Sequence, residues 1–216
     1  MTERTIKLHD YTLGEEIAAS VIHGVGAALS IAALTLMVVV AAAHGGGARM
    51  AGALVFGLSL IAEYTASTLY HALPQPKAKR VFKVLDHSGI YLLIAGTYTP
   101  VCLVTLAGHG GAVLLAVVWT AAAVGIACEA FWTFRPRWVS AAIYIVMGWA
   151  VLFKLPALVQ LLGPGGFALL LAGGIAYTVG CAFYLAKRVK YMHAVWHLFV
   201  LAGSTCQFLC ILCHVL

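Results

Sequence analysis

Two histidines, His193 and His197, stand four residues apart at the start of the last long apolar run of the chain. On an α-helix that spacing returns to nearly the same face, one turn along. Two imidazoles so placed can grip one metal ion. Taken alone, the spacing also fits a pair of core histidines or a proton relay. Ionisable groups inside apolar sequence are costly, so they point to a function. Other elements would have to bring further ligands, a reactive water and a substrate.

The composition says what those elements are. Of 216 residues, 63% are hydrophobic and 9% charged, against roughly 25% charged in soluble domains. Mean hydropathy is +1.00. An all-α integral membrane protein is expected. Seven apolar runs, at about 17–43, 50–73, 85–107, 112–132, 138–158, 166–186 and 193–215, each approach the ~20 residues that cross the hydrocarbon. The first run is too long for the ~7–15-residue core of a signal peptide. The expected organisation is a polar tail at 1–16 and one seven-helix transmembrane domain at 17–216. Pro100 is expected to kink the third helix, and the fifth carries Lys154 and Pro156. Gly/Pro linkers, such as Pro74-Gln75-Pro76 and Gly163-Pro164-Gly165-Gly166, mark turns between antiparallel neighbours.

The formal charge is +6. The basic residues fall in short loops between apolar runs, so lipid headgroups rather than nucleic acid are the expected partner. Of the 13 Lys and Arg, 11 fall on one side: the tail, the second loop (Lys77, Lys79, Arg80, Lys83), the fourth (Arg135, Arg137) and the sixth. The positive-inside rule puts the N-terminus in the cytoplasm and, after seven crossings, the C-terminus outside. The six cysteines all lie in apolar runs and are expected to be reduced.

That topology gathers polar groups at one depth. Helix 7 begins on the cytoplasmic side with His193 and His197. Helix 2 ends there with Ser67 and His71, helix 3 begins there with Asp86, and helix 1 begins there with Glu15, Glu16 and His23. His71, His193 and His197 would supply three nitrogens to a zinc whose fourth position is left to water. Asp86 could accept a proton from that water. Ser67, one turn before His71, could donate to a developing oxyanion or support the ligands. His87 points about 100° from Asp86 and is left out. His9, His44, His109 and His214 lie at ends or loops. Glu63 faces either the site or the bundle, and Glu129 is expected to meet Arg135 or Arg137.

At these motifs the chain resembles the hemolysin III-like, bacterial branch of the progestin and adipoQ receptor superfamily. The likeness covers nearly the whole chain: Ser67 to His71, Leu85-Asp86-His87-Ser88-Gly89, and His193 to His197. It implies that the three histidines bind zinc and that Asp86 contacts its water. Glu16 and His23 match the family's helix-1 motif, with Ala19 where that motif has asparagine. It also implies a multi-pass protein of the bacterial inner membrane, with a link to lipid homeostasis. The related adiponectin receptors are proposed to hydrolyse the amide of ceramide.

Three functions follow as alternatives. The first is a zinc-dependent hydrolase of a lipid amide or ester, with membrane lipids as substrate. The second is a non-enzymatic sensor of membrane state in which zinc ties helices together. The third is a pore, which would need polar residues running across the bundle; helices 4 to 6 carry almost none.

Overall fold

The computed structural model describes residues 11–132, 136–186 and 188–216. Regular structure among them is all helical, with no strand. The elements are α1 (Leu13–His44), α2 (Gly47–Ala72), α3 (Pro76–Pro100), α4 (Gly111–Phe131), α5 (Arg137–Trp149), α6 (Leu155–Leu185) and α7 (Met192–His214). Six helical stretches, with the one from Arg137 to Leu185 taken as a unit, are long and apolar enough to cross a membrane. The chain is a multi-pass membrane protein.

The polarity of α1 is that of a lipid-facing helix. Leu13, Ile17, Val21, Val25 and Leu29 recur every four residues and are exposed, while Ala19, His23, Gly26, Ser30 and Ala33 are buried. Large apolar groups face outward and small or polar ones inward, because lipid offers no penalty to the former and no partner to the latter. Helix α1 packs along α2 and α7, α2 along α3, and α6 along α7. This arrangement brings the N-terminal ends of α1, α3 and α7 together with the C-terminal end of α2.

The helix ends follow local chemistry. Thr12 caps α1 in a capping box with Glu15, which satisfies orphan N–H groups of the first turn. The helix therefore begins at Leu13, inside the expected 1–16 tail, and Glu15 and Glu16 belong to its first turn. Residues 1–10, with His9, lie outside the described residues. Pro76 opens α3, where proline's missing N–H costs nothing. The helix starts nine residues before the expected Leu85, so Lys77, Lys79, Arg80 and Lys83 are helical rather than looped. Past Pro100 the backbone widens into a π turn, Val101–Thr105, in place of a simple kink.

The expected fifth helix, 138–158, does not run through unbroken. Helix α5 ends at Trp149 and passes through a tight 3-10 turn, Ala150–Lys154, into α6. Pro156 sits in the first turn of α6, where it is tolerated. The reversal occurs at Gly163, at φ 65° and ψ 175°, a conformation open essentially to glycine. Trp149 Nε1 donates to Thr178 Oγ1 across 2.9 Å. Twenty-nine residues of straight helix would separate them by about 43 Å, so the chain doubles back at Gly163.

Candidate metal centre

Three imidazoles converge where α2 ends and α7 begins. His193 Nε2 lies 3.3 Å from His71 Nε2 and 3.0 Å from His197 Nε2. One nitrogen from each ring lies within 4.8 Å of the others. His71 and His197 are buried, and His193 is half-buried. Zinc–nitrogen bonds of about 2.05 Å at tetrahedral angles put ligand nitrogens about 3.3 Å apart. The observed spacings match that requirement. Carboxylate does not enter the set, which favours zinc over calcium or magnesium.

The outer layer decides where the lone pairs point. His71 Nδ1 donates to Glu16 Oε2 across 2.6 Å, so its Nε2 is the atom left to face the cluster. This is the carboxylate–histidine pairing that fixes ring orientation at zinc sites. Glu16 is itself held: Lys79 Nζ lies 2.7 Å from Oε1, an ion pair at hydrogen-bonding distance but off the direction of a hydrogen bond. Lys79 also donates to the Tyr70 carbonyl at 3.0 Å. His23 sets its ring edge-on to His197 at 3.7 Å between centroids, with Tyr64 edge-on behind it at 4.9 Å. Tyr11 stacks on His193 at 4.6 Å.

The entry to α7 is positioned from α1. Glu15 Oε1 accepts the backbone N–H of Tyr191 at 2.8 Å. Tyr191 caps α7 in a left-handed conformation, φ 64°, which costs a non-glycine residue roughly 1–2 kcal/mol. His193 follows two residues later, so this contact ties the ligand-bearing helix to the capping box of α1.

The histidine triad, Glu16 and His23 thus lie together in the structure. Ser67 is fully buried on α2, and its hydroxyl has no hydrogen-bond partner among the described residues. Asp86 is buried on α3, seven residues after Lys79 and so on the same face two turns along. Among the described residues, neither makes a hydrogen bond or ion pair to the three histidines. His87 lies between two carboxylates, 4.0 Å from Asp86 and 3.6 Å from Glu129. Glu129 accepts a 3.4 Å hydrogen bond from Tyr144; the expected Arg135 lies outside the described residues. Glu63 is buried, with its carboxylate over Gly89, one turn past Asp86. Sequence reasoning missed Lys79, which reads as a loop charge. Its spacing of seven before Asp86 was the available signal.

The model of the Haemolysin-III related family matches residues 11–208. The chain is 45% identical over 216 residues to Hemolysin-3 of Bacillus cereus, covering all of this chain and 98% of that protein. It is 42% identical over 202 residues to the Hemolysin-3 homolog of Bacillus subtilis (strain 168), covering 94% and 95%. A more distant likeness, 26% over 162 residues, links it to the monocyte to macrophage differentiation factor of Homo sapiens, covering 71% of this chain and 66% of that one. On a match that spans the helical domain from Tyr11 through most of α7, the chain belongs to the Haemolysin-III related family.

Proposed function

We propose that this protein is a zinc-dependent membrane hydrolase acting on the amide or ester bond of a lipid. The observation that carries the reading is the convergence of three Nε2 atoms, with His71 turned toward the cluster by Glu16. Among the described residues, the group comprises three histidines and no fourth His, Cys, Asp or Glu. Catalytic zinc keeps an open position, whereas structural zinc is closed by a fourth protein ligand. When bound, the zinc supplies Lewis-acid activation of a water and of the substrate's carbonyl.

The chain's own residues do the rest. Asp86 takes the proton from the attacking water and returns it to the leaving group. Ser67, with a buried and unpartnered hydroxyl, donates to the oxyanion that develops on the carbonyl. His23 and Tyr64 wall the cluster on its bundle side. An apolar cavity between α3, α5, α6 and α7, lined by Tyr98, Tyr144, Trp149, Trp196 and Val200, suits a lipid chain rather than a polar substrate.

We read the topology as seven crossings with the N-terminus in the cytoplasm. The stretch Arg137–Leu185 has 49 residues, about 74 Å as one helix, over twice the ~30 Å hydrocarbon. Its reversal at Gly163 supports two crossings. The basic loops support the orientation, and a C-terminal reporter should read outside. The bilayer in question is the bacterial inner membrane.

Metal analysis of purified protein tests the centre, with about one zinc per chain expected and its loss in His197→Ala. Asp86→Ala should keep zinc and abolish turnover of ceramide and other lipid amides or esters. Loss of metal in that variant would instead make zinc a tie between helices. Normal zinc in His197→Ala would refute the ligand set. Ion flux that survives loss of all three histidines would revive a pore.

A further inference from the structure

A fully buried lysine is rare unless something pairs it. Lys79 is 2% exposed, although it stands only three residues into α3. Its ammonium reaches three features at once. It lies 2.7 Å from Glu16 Oε1 on α1, donates to the Tyr70 carbonyl on α2 at 3.0 Å, and sits 5.0 Å from the centroid of the Tyr70 ring. The Tyr70 carbonyl is among the last of α2, where no intrahelical N–H remains to satisfy it. The next residue is His71.

We propose that Lys79 is a positioning residue of the metal centre: by engaging Glu16 Oε1 and the end of α2, it leaves Glu16 Oε2 as the atom aimed at His71 Nδ1. This inference rests on the proposed zinc reading and deepens it. Glu16 has two equivalent oxygens and a flexible side chain, so a single contact to His71 would leave its rotamer free. The second contact, from a cation on another helix, removes that freedom. The same ammonium offsets the buried carboxylate's charge, which would otherwise be costly to desolvate. The order of support is therefore Lys79 on Glu16, Glu16 on His71, His71 on the metal. Loss of an outer partner of this kind costs about 10–100-fold in metal affinity. The bland alternative is that Lys79 merely caps α2 and steadies the fold.

The test is zinc affinity of the full-length protein in detergent, by competition with a chelator of known affinity. Lys79→Met should weaken zinc by about 10–100-fold, and Lys79→Arg should restore most of it. In a Glu16→Gln background, Lys79→Met should add little, because the path through Glu16 is already cut. Full and independent effects of the two substitutions, or no rescue by arginine, would overturn the positioning role. So would wild-type affinity in Lys79→Met. Should Lys79→Met fail to give a monodisperse protein, Lys79→Arg against Lys79→Gln carries the same comparison. Wild-type protein that binds no zinc would overturn the proposed function, and this inference with it. Zinc-binding wild type with an indifferent Lys79 would overturn this inference alone.

Discussion

Gly89→Ala tests whether the spacing of α2 and α3 sets the site. A Cβ at Gly89 would overlap the Glu63 Oε2 atom outright and would lie 3.2 Å from both Cα and Cδ of Glu63. The oxygen belongs to a side-chain tip and can swing away, but Glu63 is only 2% exposed, so it must enter a packed space. Leaving a favoured rotamer costs about 0.5–1.5 kcal/mol. The Cα is backbone, and α2 must yield by a few tenths of an ångström. Overpacking of this kind costs about 1–3 kcal/mol. A total near 2–3 kcal/mol would lower an apparent midpoint by roughly 4–12 °C in a chain of this size. Thermal unfolding in detergent, followed by retention of monodisperse protein, reads the shift. Asp86 lies one turn before Gly89 and His71 lies on the displaced neighbour, so lipid turnover should fall while zinc stays bound. The decisive control is Glu63→Ala, which removes the clashing carboxylate. Stability of Gly89→Ala with Glu63→Ala should exceed the sum of the two single effects, since the pair is in contact. Strict additivity, or a Gly89→Ala protein as stable as wild type, would refute the steric reasoning.

Tyr98→Phe should destabilise the α5–α6 junction by about 1–3 kcal/mol. The hydroxyl accepts from Val151 N at 2.8 Å and donates toward the Met147 and Gly148 carbonyls at 2.9 and 2.8 Å; a lower thermal midpoint with unchanged zinc content checks this. Gly163→Ala places a Cβ at φ 65° and ψ 175° and should cost about 1–3 kcal/mol, read in the same assay. Removing zinc with a chelator should lower the midpoint, because a ligand present at 100 times its dissociation constant stabilises the folded state by about 2.7 kcal/mol. Readdition of zinc should restore it, and calcium should not.

Much of the molecule was legible before any coordinates. Apolar runs near the length of a bilayer crossing mark the spans, because lipid forces each span to satisfy its own backbone. His193 and His197 were legible as a pair because helical periodicity is local. His71 followed from the charge of the loops, which orients every helix end. Helix limits were less legible. Thr12 and Glu15 begin α1 inside a polar stretch, and Pro76 begins α3 nine residues before its apolar run. In both cases capping chemistry, not hydropathy, sets the limit. The reversal at Gly163 was marked by its glycine–proline linker, but the 3-10 break at Ala150–Lys154 inside the expected fifth helix was not.

The sequence by itself determined the solvent, the helical spans and the candidate histidines, because these follow from composition, period and loop charge. Tertiary structure alone decided what each buried charge faces. Lys79 carries every mark of a loop cation, yet it lies against Glu16 on another helix, 63 positions earlier. Glu129 lies near Tyr144 and His87, which stand 15 positions later and 42 positions earlier in the chain. In a low-dielectric bundle a charge is stable only beside a partner. The nearest partner in space is set by how helices pack, which no local pattern records.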